Sequence, residues 1–112
     1  MQAVIEIEGL PHAALEAASV FHAEHLQHAR AALAGKVDAL ALVFPGATYD
    51  HAPWRRAVVA DLARAAAPKR VNAVAGNDRE AVDATLAWLE QAGGITGQLL
   101  AVDGTAAGNP AQ

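Results

Sequence analysis

Residues 37–46, VDALALVFPG, decide the fold. After Asp38 the run stays apolar through Phe44, with no polar residue at alternate positions. That is the pattern of a strand buried on both faces, and such strands belong to parallel sheets covered by helices. Pro45 and Gly46 end the run.

Outward from this strand, four short apolar runs (3–7, 37–44, 70–75 and 98–102) alternate with three helical patterns. The order β-α-β-α-β-α-β is that of a parallel α/β sheet. The first run, AVIEI, ends at Gly9, and Glu6 and Glu8 mark it as an edge strand with one wetter face. Pro11 suits the first turn of a helix that runs to about residue 34, with Gly35 as its C-terminal cap. At about 100° per residue, Leu15, Ala18, Leu26, Ala29 and Leu33 fall on one stripe, with His22 and His25 inside it. A second helix opens near Pro53 and Trp54, carries Val58, Val59 and Leu62, and closes before Pro68. Asn77 with Glu80 forms a capping box for a third helix, which carries Val82, Leu86 and Leu89 and stops at Gly93 and Gly94. Short connections and right-handed crossovers favour a sequential four-stranded sheet with helices on both faces. The expected domain spans residues 1–104, followed by a loose tail over 105–112.

A chain of 112 residues holds one domain with one hydrophobic core. Its hydrophobic fraction is 54%, but alanine inflates that figure and aromatics are only 4%. Small side chains contribute little apolar area, so the core is thin and burying a further face in an oligomer would stabilise it. The net charge of −4 excludes the basic footprint that nucleic-acid binding needs; Arg55-Arg56 and Lys69-Arg70 are isolated pairs at helix ends and surfaces. With no cysteine, neither disulfides nor thiolate metal sites are open to the chain. No apolar run approaches the roughly 20 residues that span a bilayer, and no N-terminal signal pattern is present, so no membrane partner and a cytoplasmic location are expected.

Three stretches carry a family resemblance. Residues 62–75, LARAAAPKRVNAVA, and residues 85–104, TLAWLEQAGGITGQLLAVDG, are similar to the C-terminal half of short-chain dehydrogenases/reductases, and residues 28–44 resemble them more weakly. The resemblance implies a minimal three-layer Rossmann-like domain whose four strands correspond to the family's last four. It also implies a nicotinamide cofactor and a Ser-Tyr-Lys catalytic set, and here the chain departs from the family. The first strand is followed by Gly9-Leu10-Pro11-His12, without the closely spaced glycines that let backbone amides approach a pyrophosphate. Tyr49 is the only tyrosine, and four residues on stands Pro53 where the family has lysine. Shifting the register by one, to fit Pro68, places Thr48 and Ala52 there instead. The only lysines are Lys36 and Lys69, the only serine is Ser19 inside the first helix, and the first asparagine is Asn72. His51 or Arg55 could assist Tyr49, but nothing in the sequence fixes that geometry. No catalytic residue and no cofactor are therefore expected.

In the resembled family, the helices equivalent to the first two pair across a two-fold axis, and the last strand and third helix form a second interface. The expectation is a non-catalytic interaction or scaffold module, homodimeric through Leu15, Ala18, His22, His25, Leu26, Ala29, Leu33 and Trp54, and also able to dock onto a full-length dehydrogenase relative or along the edge of the first strand. The alternative is a small-molecule or nucleotide-binding module, or a cryptic reductase, built on the loop 45–51. That loop lies where α/β sheets bind ligands and carries Thr48, Tyr49, Asp50 and His51; the simpler reading has Asp50 capping a helix and Tyr49 covering its first turn. His22, His25 and His28 invite a metal hypothesis, but two i, i+3 steps drift by about 120°, so three do not easily converge on one ion, whereas His22 and His25 could with a ligand from a symmetry mate. His22 and His25 read better as polar members of a helix interface whose protonation tunes association at about pH 6. Asp103 belongs to the family's structural C-terminal motif, and Trp54 and Trp88 read as core or interface anchors.

Overall fold

The computed structural model describes residues 1–102; the expected tail over 105–112, and Asp103, lie outside them. Four strands, β1 (Gln2–Glu6), β2 (Ala39–Phe44), β3 (Arg70–Ala75) and β4 (Leu99–Ala101), pair in parallel in the order β1-β2-β3-β4. β2 is buried at all six positions, as its unbroken apolar run requires, and β1 is the edge strand. The α/β class and the sequential sheet agree with the sequence.

The helices are α1 (Ala14–Val20), α2 (Leu26–Leu33), α3 (Ala52–Ala66) and α4 (Arg79–Gln91). α1 and α2 are joined by a π turn, Phe21–His25, in which the Leu26 N–H reaches back to the Phe21 carbonyl. That single extra residue rotates α1 by about 100° relative to an unbroken helix. The inward positions become Ala17 and Phe21 before the turn and Ala29 after it, each fully buried. Leu15, on the expected stripe, is 79% exposed as a result.

Alternation along β2 and β3 divides the interior into two cores. Leu40, Leu42, Phe44, Val71 and Ala73 face α1, α2 and α3, meeting Phe21, Ala29, Val58, Val59 and Leu62. Val43 and Val74 face the other way, onto Val82 and Leu89 of α4. All three connections step across the sheet in the same direction, yet α4 lies on the opposite face. The β3-α4-β4 crossover therefore has the opposite hand to the first two, which corrects the expectation of uniformly right-handed crossovers.

A buried network holds this unusual connection. The Arg70 guanidinium donates to the Leu89 and Ala92 carbonyls at the end of α4, at 2.9 and 3.1 Å. Asn72, 1% exposed, donates from Nδ2 to the Ile95 carbonyl and accepts from the Gln98 N–H on Oδ1. Thr96 Oγ1 accepts from the Val71 N–H, and the Gly97 N–H donates to the Val71 carbonyl. On the other side of β3, Lys69 Nζ caps the end of α2 through the Leu33 and Gly35 carbonyls. Both members of the Lys69-Arg70 pair thus serve helix ends.

The cap of α4 is Asp78, not Asn77: Asp78 Oδ1 accepts from the Glu80 and Ala81 N–H groups. Asn77 is used elsewhere, its Oδ1 accepting from the Gly46 N–H at 2.9 Å. A Cβ at Gly46 would stand 2.7 Å from Asn77 Nδ2, so a larger residue there would displace the Asn77 side chain from this bond. No helix among the described residues is long and apolar enough to cross a membrane.

Candidate functional site

Two regions hold the residues singled out from sequence. The first is the loop 45–51 at the C-terminal end of β2. A 3-10 turn, Tyr49–His51, leads directly into α3, with Pro53 in its first turn. Asp50 does not cap this helix; its carboxylate accepts a hydrogen bond from the Thr48 hydroxyl. That bond, reinforced by backbone hydrogen bonding, holds the Asp50 carboxyl below the ordinary aspartate range. Thr48→Ala is accordingly expected to move the Asp50 titration upward, toward an ordinary aspartate value, read from its carboxyl carbon shift by NMR.

Tyr49 does not cover the first turn of α3. Its side chain is 90% exposed, and no hydrogen bond joins its hydroxyl to any described residue. His51 is turned the other way, 4% exposed, with Nε2 2.9 Å from the His12 carbonyl and Nδ1 accepting from Trp54 Nε1 at 3.3 Å. Arg55 is also 4% exposed. Its guanidinium sits over the Phe44 ring at 4.6 Å and near Trp54 at 5.7 Å, and Nη1 donates to the Pro45 carbonyl. Its Nε is buried without a partner, and burial pulls its pKa below the usual arginine value. The loop therefore presents Thr48, Tyr49 and Asp50 to solvent, while His51 and Arg55 point into the fold. Among the described residues, no lysine or arginine side chain hydrogen-bonds the Tyr49 hydroxyl.

The residues do not fit a dinucleotide. Gly9 is the single glycine of the β1–α1 connection, and α1 begins only at Ala14. The first-turn amides of α4 are already taken by Asp78. Arg79, beside a crevice of about 190 Å³ at the strand ends, is paired with Glu6 and Asp83. No group of three or more metal-ligating side chains converges among the described residues.

The second region is a groove of about 610 Å³ between α2 and α3, on the side of these helices away from the sheet. Leu26 and Leu33 form one bank and Val58, Leu62, Ala65 and Ala66 the other, with His22, Arg30, Asp61 and Lys69 around them. Three of the eight expected interface residues, His22, Leu26 and Leu33, line it. The others are dispersed. Ala29 is fully buried in the chain's own core, and Trp54 packs on Phe21 and Phe44. His25 stacks on Phe21, Ala18 is half-buried, and Leu15 projects into solvent. Sequence reasoning missed the α3 bank, although Ala65 and Ala66 next to Leu62 carry the signal of a shallow, small-residue face.

No curated protein and no solved structure matches the sequence. A family model described as short chain dehydrogenase-like protein matches residues 5–102, from β1 through the end of the described sheet. The chain belongs to the short-chain-dehydrogenase-like family.

Proposed function

We propose that this protein is a non-catalytic interaction module derived from a short-chain dehydrogenase, and that it homodimerises through the α2–α3 groove. The observation that carries the reading is the groove itself: an apolar floor in which Leu26, Leu33, Ala65 and Ala66 keep exposed surface beside the already buried Val58 and Leu62, on a chain whose alanine-rich core is thin. A second copy covering this floor removes apolar surface from water and adds stability by mass action. Arg30 and Lys69 beside Asp61 give the rim both signs of charge, which a two-fold-related copy can answer with opposite ones. The same surface suits a full-length relative as a second partner. The cofactor fit fails at both helix N-termini, and among the described residues no lysine or arginine hydrogen-bonds the Tyr49 hydroxyl, so the module works without dehydrogenase chemistry. We place it in the cytoplasm, since its stability owes nothing to disulfides.

Light scattering on the purified chain tests this directly. The expected mass at micromolar concentration is twice the 11.5 kDa of one chain. Leu26→Asp breaks the dimer, and Ala65→Glu, at an exposed rim position, weakens association by about a hundredfold with an unchanged circular dichroism spectrum. A monomeric wild type, or a dimer indifferent to Ala65→Glu, removes the groove from the interface. Saturable binding of reduced or oxidised NAD or NADP in a calorimetric titration would instead favour a ligand site on the loop 45–51.

A further inference from the structure

At the C-terminal edge of the sheet, two connections that are distant in sequence are joined by one buried side chain. The loop from β1 to α1 meets the start of α3 through His51, whose ring bridges the His12 carbonyl and the Trp54 indole. An indole N–H can only donate, so His51 Nδ1 must accept and Nε2 must carry the proton that goes to the His12 carbonyl. The bridge is made by a neutral imidazole in one tautomer. Adding a proton places an N–H at Nδ1 directly against the Trp54 N–H, two donors facing each other in a site closed to water.

The charges around the ring reinforce this. Arg55, on the same turn of α3 as Trp54, is a desolvated cation without a carboxylate partner and repels an imidazolium. His12 on the facing loop and His25 in the same aromatic cluster are the other ionisable groups packed around the ring. Asp50 is an anion next to His51 in sequence, and it lies in solvent with its carboxylate engaged by Thr48. Its attraction is screened, whereas the donor clash and the Arg55 repulsion act in the interior. The freed loop also has a point about which to move: Gly9 holds φ +77 with no atom near its α-carbon hydrogen.

We propose that His51 is a pH-sensitive latch, holding the β1–α1 loop against the start of α3 when neutral and releasing it when protonated. The device requires neither the groove nor its partner.

The test follows hydrogen–deuterium exchange of residues 17–20, the first hydrogen-bonded amides after the loop, corrected for intrinsic rates, at about pH 7.5 and about pH 5.5. Far-UV circular dichroism is recorded in parallel, and Trp54 fluorescence is followed in a Trp88→Phe background. Exchange of this segment is expected to be about tenfold faster at the lower pH with the dichroism unchanged. His51→Gln, whose amide can donate to the His12 carbonyl and accept from Trp54, should abolish the difference. If His51→Gln does not fold, Trp54→Phe removes the opposing donor and should reduce the difference to less than about threefold. The proposal is overturned by exchange that does not depend on pH, by a response that survives in both variants, or by one that coincides with loss of the dichroism.

Discussion

Gly76→Ala is expected to detach β4 and lower the thermal midpoint of the domain by roughly 10–20 °C. Gly76 follows β3, and its N–H donates to the Phe44 carbonyl of β2. Directly opposite, the Val102 N–H donates to the Ala75 carbonyl at 2.7 Å. A Cβ on residue 76 would stand 1.5 Å from the Val102 carbonyl oxygen and 2.7 Å from its carbon. Both obstacles are backbone, so no rotamer relieves them and one strand must move. Moving β4 breaks the Val102 bond and pulls Leu100 and Val102 off the core that α4 covers. Breaking that hydrogen bond and exposing two apolar side chains together cost about 3 kcal/mol or more, a large share of the stability of so small a domain. Gly93→Ala is the matched control, since nothing lies within 4 Å of its added carbon, and it should leave the midpoint nearly unchanged. Thermal unfolding followed by circular dichroism distinguishes the two. Equal midpoints for both variants would mean that the end of β4 does not pack against Gly76 in solution.

The sheet is legible in the sequence because its signals are local. The apolar run of residues 39–44 has no other home than an interior strand, and the glutamates of β1 mark the edge without reference to any neighbour. What escapes the sequence depends on contacts between distant segments. The π turn at residues 21–25 leaves no mark in composition; it exists because Phe21 and Ala29 must both reach the core from one helix. Asn77 and Asp78 are equally good caps by type, and only the approach of Gly46 decides which is free to serve. The hand of the last crossover is set by α4 docking on the far face, through Gln2 to the Leu86 carbonyl and Glu90 to the Gln2 N–H, neither of which spacing could reveal. In the candidate site, the residue types of the loop 45–51 suit chemistry, but the direction of His51 is not readable from them. A histidine after Tyr-Asp looks exposed until the His12 carbonyl and Trp54 are known to lie behind it.

Asn72→Leu should destabilise the domain by about 2–4 kcal/mol, since a part-buried carbonyl and a part-buried N–H both lose their partner in the buried Asn72 side chain. The side chains are of similar size, so the effect isolates hydrogen bonding from packing. The Ile95 carbonyl and the Gln98 N–H, served at 2.9 and 3.1 Å in the wild type, would both lose that partner. Asn72→Asp adds a dependence on pH. The carboxylate keeps the bond from the Gln98 N–H but faces the Ile95 carbonyl with lone pairs, in a position 1% exposed. Burial disfavours the charged form, so the folded pKa of this aspartate rises above its unfolded value. A raised folded pKa contributes stability at low pH that is lost as pH rises through it. The variant should therefore recover part of the wild-type stability near pH 4.5, where a protonated carboxyl can donate to Ile95, and lose it by about pH 7. Urea unfolding at the two pH values, referred to wild type at each, measures the difference. A pH-independent gap would mean that residue 72 reaches solvent and does not hold the 94–98 turn. The expected result gives the family resemblance a physical basis: residues 70–75 and 95–98 are the two halves of one latch across β3, α4 and β4. Short-chain dehydrogenase sequence can persist there for architecture alone, whatever becomes of the chemistry at the other end of the sheet.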